Sequence, residues 1–132
     1  MVQGYPYISH YLYVTASAGS LLTRYLSLHG DAVQASLGAT TMPIAQNTAK
    51  KLTLKVVSQT ATVESSIKVT LQKNGLDTPL TVEASTTGFF DCVADVAFAD
   101  GDAVNLKLVV DATYATTSQT WYFIVCVTFL SP

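Results

Sequence analysis

The chain has 132 residues, enough for one domain that buries about two-thirds of its unfolded surface without a disulfide or metal to hold it. Its formal charge of -2, from seven basic and nine acidic residues, is too small to predict binding to nucleic acid or an anionic membrane. Only 12% of the residues are charged and 49% are hydrophobic, so a monomer would expose much apolar surface. We therefore expect a homo-oligomer, with neither nucleic acid nor membrane as a partner.

No targeting segment is expected from the first twenty residues, which contain no Lys or Arg and no uninterrupted apolar core. The longest apolar run, at 121–127, is far shorter than the roughly 20 residues that cross a bilayer as a helix. The two cysteines, Cys92 and Cys126, both lie in strand-like runs. This favours two buried thiols over one disulfide, and the choice stays open at this point.

Alternating apolar and polar residues dominate the chain, with turn residues at intervals of about 8 to 12, and this predicts an all-β sandwich or barrel. In the first run the alternation puts four rings on one face of a strand: Tyr5, Tyr7, Tyr11 and Tyr13. Such a face can stack on sugars or form a protein contact, and the low charge elsewhere favours the contact. Residues 21–28 fit either a short strand or a helical turn.

The middle of the chain predicts a hairpin centred on Asn74-Gly75, because this pair tolerates the positive φ of a tight turn. Pro79 indicates that the second hairpin strand starts late or lies near an edge. The residues predicted to face the core in this region are Leu52, Leu54, Val56, Ile67, Val69, Leu71, Leu80 and Val82.

The next strands have one wet side, and the last strand has none. The pattern predicts that Asp91 and Asp95 face solvent and that the opposite face of their strand points inward. The strand after the turn at 99–102 is also expected to have one inward face. The inward residues of these two strands are Phe90, Cys92, Ala94, Val96, Phe98, Val104, Leu106, Leu108 and Val110. In the final run both faces are apolar. Because a sandwich strand has one inward face, we expect the other to meet another subunit or layer.

Residues suited to chemistry are few and scattered. His10 and His29 lie far apart with no carboxylate or cysteine at ligand spacing, so no metal site is predicted. Asp100 and Asp102 flank a glycine, and turn chemistry explains them better than a calcium loop. No phosphate-binding loop or nucleophile elbow is present. We expect no enzyme activity, no catalytic residue and no cofactor.

Three motifs of strands and turns lie between residues 42 and 110. The first is a hydrophobic-T-L-x-x-N-G strand and turn at 69–75, the second a T-x-L-T-V strand at 78–82, and the third a G-D-x-V-x-L strand entry at 101–106. With these motifs, residues 42–110 resemble bacteriophage virion jelly-roll proteins of the TNF/C1q-like kind, the proteins of capsid decoration, head fibres and spike domains.

The resemblance implies an all-β fold, an antiparallel two-sheet jelly-roll sandwich of about eight strands. Residues 1–132 then form a single domain, with 1–40 as a candidate N-terminal attachment segment. It also implies a homotrimer in which the last strand packs around a threefold axis. The subunit contact is expected from one of two faces of that strand: Trp121, Phe123, Val125, Val127 and Phe129, or the opposing Tyr122, Ile124 and Leu130.

The function that follows is that of a phage virion structural protein, which decorates or stabilises the capsid or forms part of a head fibre or spike. Such a protein would be made in the host cytoplasm without a signal peptide and would bind other capsid proteins. The alternative is a lectin-like module for host-surface carbohydrate. Its contacts would be either the tyrosine face, Tyr5, Tyr7, Tyr11 and Tyr13, or loop residues 74–78.

Overall fold

The computed structural model describes residues 4–8, 12–28, 37–60 and 65–130. Within these ranges it contains one short 3₁₀ helix, Leu37–Ala39, and ten β-strands. The strands are β1 (Gly4–Ile8), β2 (Leu12–Ala16), β3 (Leu21–Leu26), β4 (Met42–Pro43), β5 (Asn47–Gln59), β6 (Ser66–Lys73), β7 (Leu76–Ala84), β8 (Gly88–Phe98), β9 (Ala103–Asp111) and β10 (Gln119–Leu130). The segment that fitted either a strand or a helical turn is therefore a strand, β3.

Two five-stranded antiparallel sheets form a sandwich. Sheet A has the order β1-β10-β5-β8, with β2 also pairing with β10, and sheet B has the order β3-β9-β6-β7, with β4 also pairing with β9. The predicted all-β jelly-roll sandwich is confirmed. The structure has ten strands instead of about eight because, at one position in each sheet, two short strands take the place of one long strand. The strands β1 and β2 pair with successive parts of β10, and β3 and β4 with successive parts of β9.

The core lies between the inner faces of the two sheets, where the predicted alternation is confirmed. The predicted core positions on β5, β6, β7 and β9 are buried, and on β8 Val96 and Phe98 are buried while Phe90, Cys92 and Ala94 pack against the core. On β10 the inner face is the set Trp121, Phe123, Val125, Val127 and Phe129, each 0–2% exposed. All five side chains pack inside one protomer, so the subunit contact proposed below uses the other face of β10.

The predicted hairpin joins β6 to β7 through Asn74 and Gly75, whose φ angles of 52° and 80° are those of a tight two-residue turn. The turn is fastened to the loop before β9. The Asn74 side chain donates from Nδ2 to Oδ1 of Asp102 (3.0 Å) and accepts at Oδ1 from the Ala103 N–H (2.8 Å). The other oxygen of Asp102 accepts from the Ala99 N–H (2.8 Å).

These bonds settle the role of the two turn aspartates. The hydrogen bond from Asn74, followed by that from the Ala99 N–H, holds the pKa of Asp102 below its usual value. Asp100 accepts from the Gln46 N–H at 2.7 Å. The described ranges contain no cluster of three or more His, Cys, Asp or Glu able to hold a metal ion. Asp102 therefore closes its own turn, as turn chemistry predicted, whereas Asp100 ties this turn to the residue that precedes β5.

The residue Pro79 sits in a bulge of β7, the last strand in the order of sheet B. Thr70 pairs with Thr81 and Gln72 pairs with Asp77, so two steps along β6 oppose four along β7. The Thr78 hydroxyl donates to the Leu71 carbonyl (2.7 Å) across this bulge. Of the two alternatives for this strand, the position near an edge is confirmed, whereas a late start is not, since β7 begins at Leu76 directly after the turn.

Candidate functional site

The outer face of sheet A carries an apolar band. Seven large hydrophobic side chains are exposed in the described part of the chain, and four of them lie on strands of this sheet: Tyr13, Val57, Phe89 and Val93. Phe89, near the start of β8, and Val93, in the middle of it, are 70% and 73% exposed, which is unusual for large apolar side chains on a sheet face. An apolar surface of this kind on a sheet face marks a contact surface.

The register shows how the band crosses four strands. Tyr13 on β2 pairs with Tyr122 on β10, and their ring centroids are 5.7 Å apart. Ile124, two residues further along β10, pairs with Lys55 on β5, and Lys55 pairs with Phe89 on β8. The Lys55 Nζ lies 5.1 Å from the Phe89 ring centroid, so the lysine stem fills the space between Ile124 and the ring. We call this set, together with Val57, Val93 and Leu130, the apolar band.

Of the two predicted contact sets on β10, the set of Tyr122, Ile124 and Leu130 therefore lies on the outer face of the sheet. Tyr122, Ile124 and Leu130 alternate with the five core residues of β10 and are half-buried. They are less exposed than Phe89 because β10 has strands on both sides, β1 and β2 on one and β5 on the other. An apolar side chain in the centre of a solvent-facing sheet is the feature that an association surface requires.

The charged groups beside the band are paired with each other. Lys50 lies 2.6 Å from Asp95, and Lys51 lies 3.5 Å from Asp91, both across β5 and β8. The predicted exposure of Asp91 and Asp95 is confirmed, since both are exposed. Exposed pairs of this kind add little to stability. They do leave the face with little net charge, so two copies of it would not repel each other strongly.

The two cysteines lie on opposite faces of sheet A and are free thiols. Cys126 is on the outer face between Ile124 and Thr128, and partial burial raises the pKa of its thiol. Cys92 packs against the core and its thiol donates to the Pro79 carbonyl (3.4 Å). Both cysteines are thiols, as favoured, but each is half-buried and not buried as expected.

The face of four tyrosines stays a prediction. In the backbone register, Tyr5 and Tyr7 pair with Phe129 and Val127 of β10, and Tyr13 pairs with Tyr122. Four steps of the chain separate Ile8 from Leu12 and three steps separate their partners on β10, so the register shifts by one residue between β1 and β2. Tyr11 lies outside the described residues, as do His10 and His29.

Loop residues 74–78 were the second candidate contact for carbohydrate. They lie on one side of a groove of about 500 Å³, and residues 95–97 of β8 line the other side. Most polar groups of the groove already have partners. Lys73 donates from Nζ to the Ala97 carbonyl (2.7 Å) and is 3.7 Å from Asp102. Asp77 accepts from Gln72 (2.9 Å) and from Lys107 (2.9 Å), and these bonds lower its pKa. Little is left there for hydrogen bonds to a sugar.

Among the described residues, no helix is both long and apolar enough to cross a membrane.

Comparison with known proteins gives a likeness of fold. No protein-family model matches the chain, and neither does any curated protein. The structure of infectious bursal disease virus, Gx strain, superposes with a TM-score of 0.57 at 9% identity, covering 98% of this chain and 32% of that chain. The Gt strain structure gives a TM-score of 0.53 at 10% identity, with 98% and 32% covered.

A third solved structure, Eiger TNF from S. frugiperda, gives a TM-score of 0.39 at 9% identity, covering 89% of this chain and 91% of that chain. The chain spans about a third of the length of the two viral chains that it matches. At such low identities only the architecture is comparable. The protein therefore shares the fold of one part of these viral chains, over nearly its whole length.

Proposed function

We propose that this protein is a virion structural protein of a bacteriophage, which associates into a homotrimer through the apolar band and decorates or stabilises the capsid or builds a head fibre or spike. The observation that carries the proposal is the band itself, in which Tyr13, Phe89 and Val93 are 63–73% exposed on one sheet face. The fold likeness to viral chains and the sequence resemblance to phage virion jelly rolls support the viral setting.

Self-association is the simplest use of this surface. Fully burying one large apolar side chain contributes about 1.5–3 kcal/mol. Several such side chains lie together on one face here, beside lysine and aspartate groups that already compensate each other. A second copy of the same face offers apolar area of the same kind, and the one cation inside the band, Lys55, lies against the Phe89 ring.

Attachment to other capsid proteins is assigned in this proposal to residues 1–40. Three strands of this segment, β1, β2 and β3, also belong to the two sheets. The protein acts by binding, with no catalytic step and no cofactor, and it is located in the virion after synthesis in the host cytoplasm.

The experiment is a measurement of solution mass by light scattering over a hundredfold dilution, on the intact chain, on Ile124→Asp and on Leu76→Asp. Leu76 is the matched control, because it is 72% exposed and lies on β7 of the other sheet. We expect a stable mass of three times 14.1 kDa for the intact chain and for Leu76→Asp, and 14.1 kDa for a folded Ile124→Asp.

A monomeric intact chain at every concentration would contradict association through the band. A stable dimer or pentamer that Ile124→Asp dissociates would contradict the trimer and leave the contact face in place. The viral setting is tested separately, by mass spectrometry of purified particles of the virus that encodes the chain. If the chain were missing from those particles, the virion role would be wrong.

A further inference from the structure

The ion pair of Lys51 and Asp91 is flanked by residues of the apolar band. On the outer face of β8, Asp91 alternates with two members of the band, Phe89 and Val93, and all three side chains are exposed. Residues two apart on a strand are about 7 Å apart, so apolar side chains lie on both sides of this carboxylate. Its Oδ2 is 3.5 Å from Nζ of Lys51, which pairs in the register with Val93.

A β-bulge in β5 places two adjacent lysines on this face. One step along β10, at 128–129, opposes two steps along β5, at 49–51, so Lys50 is the extra residue. As a result Lys50 and Lys51 both reach carboxylates of the outer face, Asp95 and Asp91. Regular alternation would have turned one of the two lysines toward the core. The bulge therefore supplies each of these carboxylates with its own lysine.

The charges of sheet A are few and nearly balanced. The charged side chains on its described strands are Lys50, Lys51, Lys55, Asp91 and Asp95. Three lysines and two aspartates give a net charge of +1, and the lysine without a carboxylate, Lys55, lies against the Phe89 ring. Removing the charge of Asp91 would raise the net charge to +2 and leave Lys51 without its ion pair.

A contact that covers the exposed part of the band must also cover this ion pair. Phe89 and Val93 are about 14 Å apart along β8 at the usual rise of a strand. A standard interface covers about 800 Å² on each partner, a patch roughly 30 Å across. Because Asp91 lies halfway between the two apolar residues, a copy that buries both of them also removes Asp91 and its lysine from water.

We propose that Lys51 and Asp91 form the ion pair on which self-association depends, because copies can associate only while each group compensates the charge of the other. This inference rests on the association through the band proposed above. In the free protomer the two side chains are 44% and 48% exposed, and such a pair contributes little to stability. In the contact water is excluded, and a charge left there without its partner is costly. The pair is therefore required for assembly and not for folding.

The test compares the loss of one charge with the loss of both. The proteins are the intact chain, Asp91→Asn, Lys51→Gln and the double variant that carries both substitutions. Each is labelled with one fluorophore at its N-terminus and diluted from micromolar to picomolar concentration, while fluorescence brightness counts the labels in each particle. Glu83→Gln is the matched control, because Glu83 is exposed on β7 of sheet B and pairs in the register with Lys68 on β6.

We expect each single variant to dissociate at a concentration at least about tenfold higher than the intact chain, because each leaves one charge uncompensated in the contact. The double variant and Glu83→Gln should stay within about threefold of the intact chain, because neither brings an unpaired charge into the contact. If the single variants dissociate like the intact chain, this inference is overturned and the association through the band remains. If the double variant is as weak as the single ones, the contact needs the ionic bond itself and charge compensation is the wrong explanation.

A second measurement separates assembly from folding. Urea unfolding of Ile124→Asp is compared with that of Ile124→Asp combined with Asp91→Asn, and we expect the same midpoint for both, because an exposed ion pair adds little to the stability of a monomer. A clearly lower midpoint for the combined variant would show that Asp91 stabilises the protomer, which would overturn the proposal. An intact chain that is monomeric at every concentration would remove the association itself and this inference with it.

Discussion

Two neighbouring residues of β10 give the sharpest test of the assignment of its faces. Phe123 is fully buried between the sheets, and Ile124 is half-buried on the outer face. Replacing Phe123 by alanine should lower the stability of the protomer. Replacing Ile124 by aspartate should act mainly on the association of protomers, because the new carboxylate is at the surface of a folded monomer.

The expected size of the first effect follows from burial. Truncating a fully buried phenylalanine to alanine costs about 3–5 kcal/mol, since the lost transfer energy adds to the energy of the cavity. A domain of this size unfolds in urea with a slope of about 1–3 kcal/mol per molar. A loss of about 4 kcal/mol therefore moves the urea midpoint down by about 2 M, a large part of the total stability of about 5–15 kcal/mol.

The assay is urea unfolding followed by tryptophan fluorescence at two protein concentrations a hundredfold apart. Trp121 is the single tryptophan and is fully buried, so its emission reports loss of the core. For the intact chain the midpoint should rise with concentration, as it does for any associating protein. Phe123→Ala should lower both midpoints and keep their difference, whereas Ile124→Asp should abolish the difference.

The opposite pattern would refute the reasoning. If Phe123→Ala removed the concentration dependence and left the midpoint at low concentration unchanged, the inner face of β10 would be a subunit contact after all. If Ile124→Asp kept the full concentration dependence, the apolar band would not be the contact surface.

Two further predictions concern the turn at Asn74 and the hydrogen bonds of Asp77. In urea unfolding, Asn74→Ala should be less stable than Asn74→Gly by about 1–2 kcal/mol. Both variants lose the same side-chain hydrogen bonds, but only alanine has a Cβ, which disfavours the φ of 52° at this position. Equal stability of the two variants would show that this backbone angle costs nothing. Hydrogen bonds from Gln72 and then Lys107 lower the pKa of Asp77 in the folded protein. The stabilising effect of this carboxylate is therefore complete above its ordinary pKa of 3.8 and is lost as the pH falls through the lower pKa of the folded state. Asp77→Asn should flatten this acid limb of the urea midpoint, and an unchanged limb would contradict the assignment.

The strand faces could be predicted from the sequence because most strands have one wet side. On β5 the residues next to Leu54 are threonine and lysine, and on β8 an aspartate precedes Val96, so a period of two fixes the inward face. The Asn-Gly turn was predictable for a similar reason, since few other pairs accept positive φ twice in succession.

The faces of β10 and of the first strands were not predictable in this way. Phe123 and Ile124 are both apolar, so the pattern left two faces open, and only the packing against sheet B decides between them. The tyrosines Tyr7 and Tyr13 have the same parity along the chain, yet one extra residue between β1 and β2 separates their positions. A register shift of one residue between two short strands cannot be recognised from the alternation of apolar and polar residues.

The apolar band was not predicted as a whole because it is assembled from distant segments. Phe89 and Tyr122 are 33 residues apart in sequence and come to one face only through the pairing of both strands with β5.

The lysine on the groove wall has a consequence for the solution behaviour of the protein. Sheet A ends at β8 in the strand order, and its Ala97 carbonyl is occupied by Nζ of Lys73. A strand from another molecule that tried to extend the sheet there would first have to displace a charged side chain and then accommodate it. Runaway polymerisation into fibrils is thereby hindered at this edge. The apolar band of the same sheet is not blocked in this way and stays available for the association proposed above.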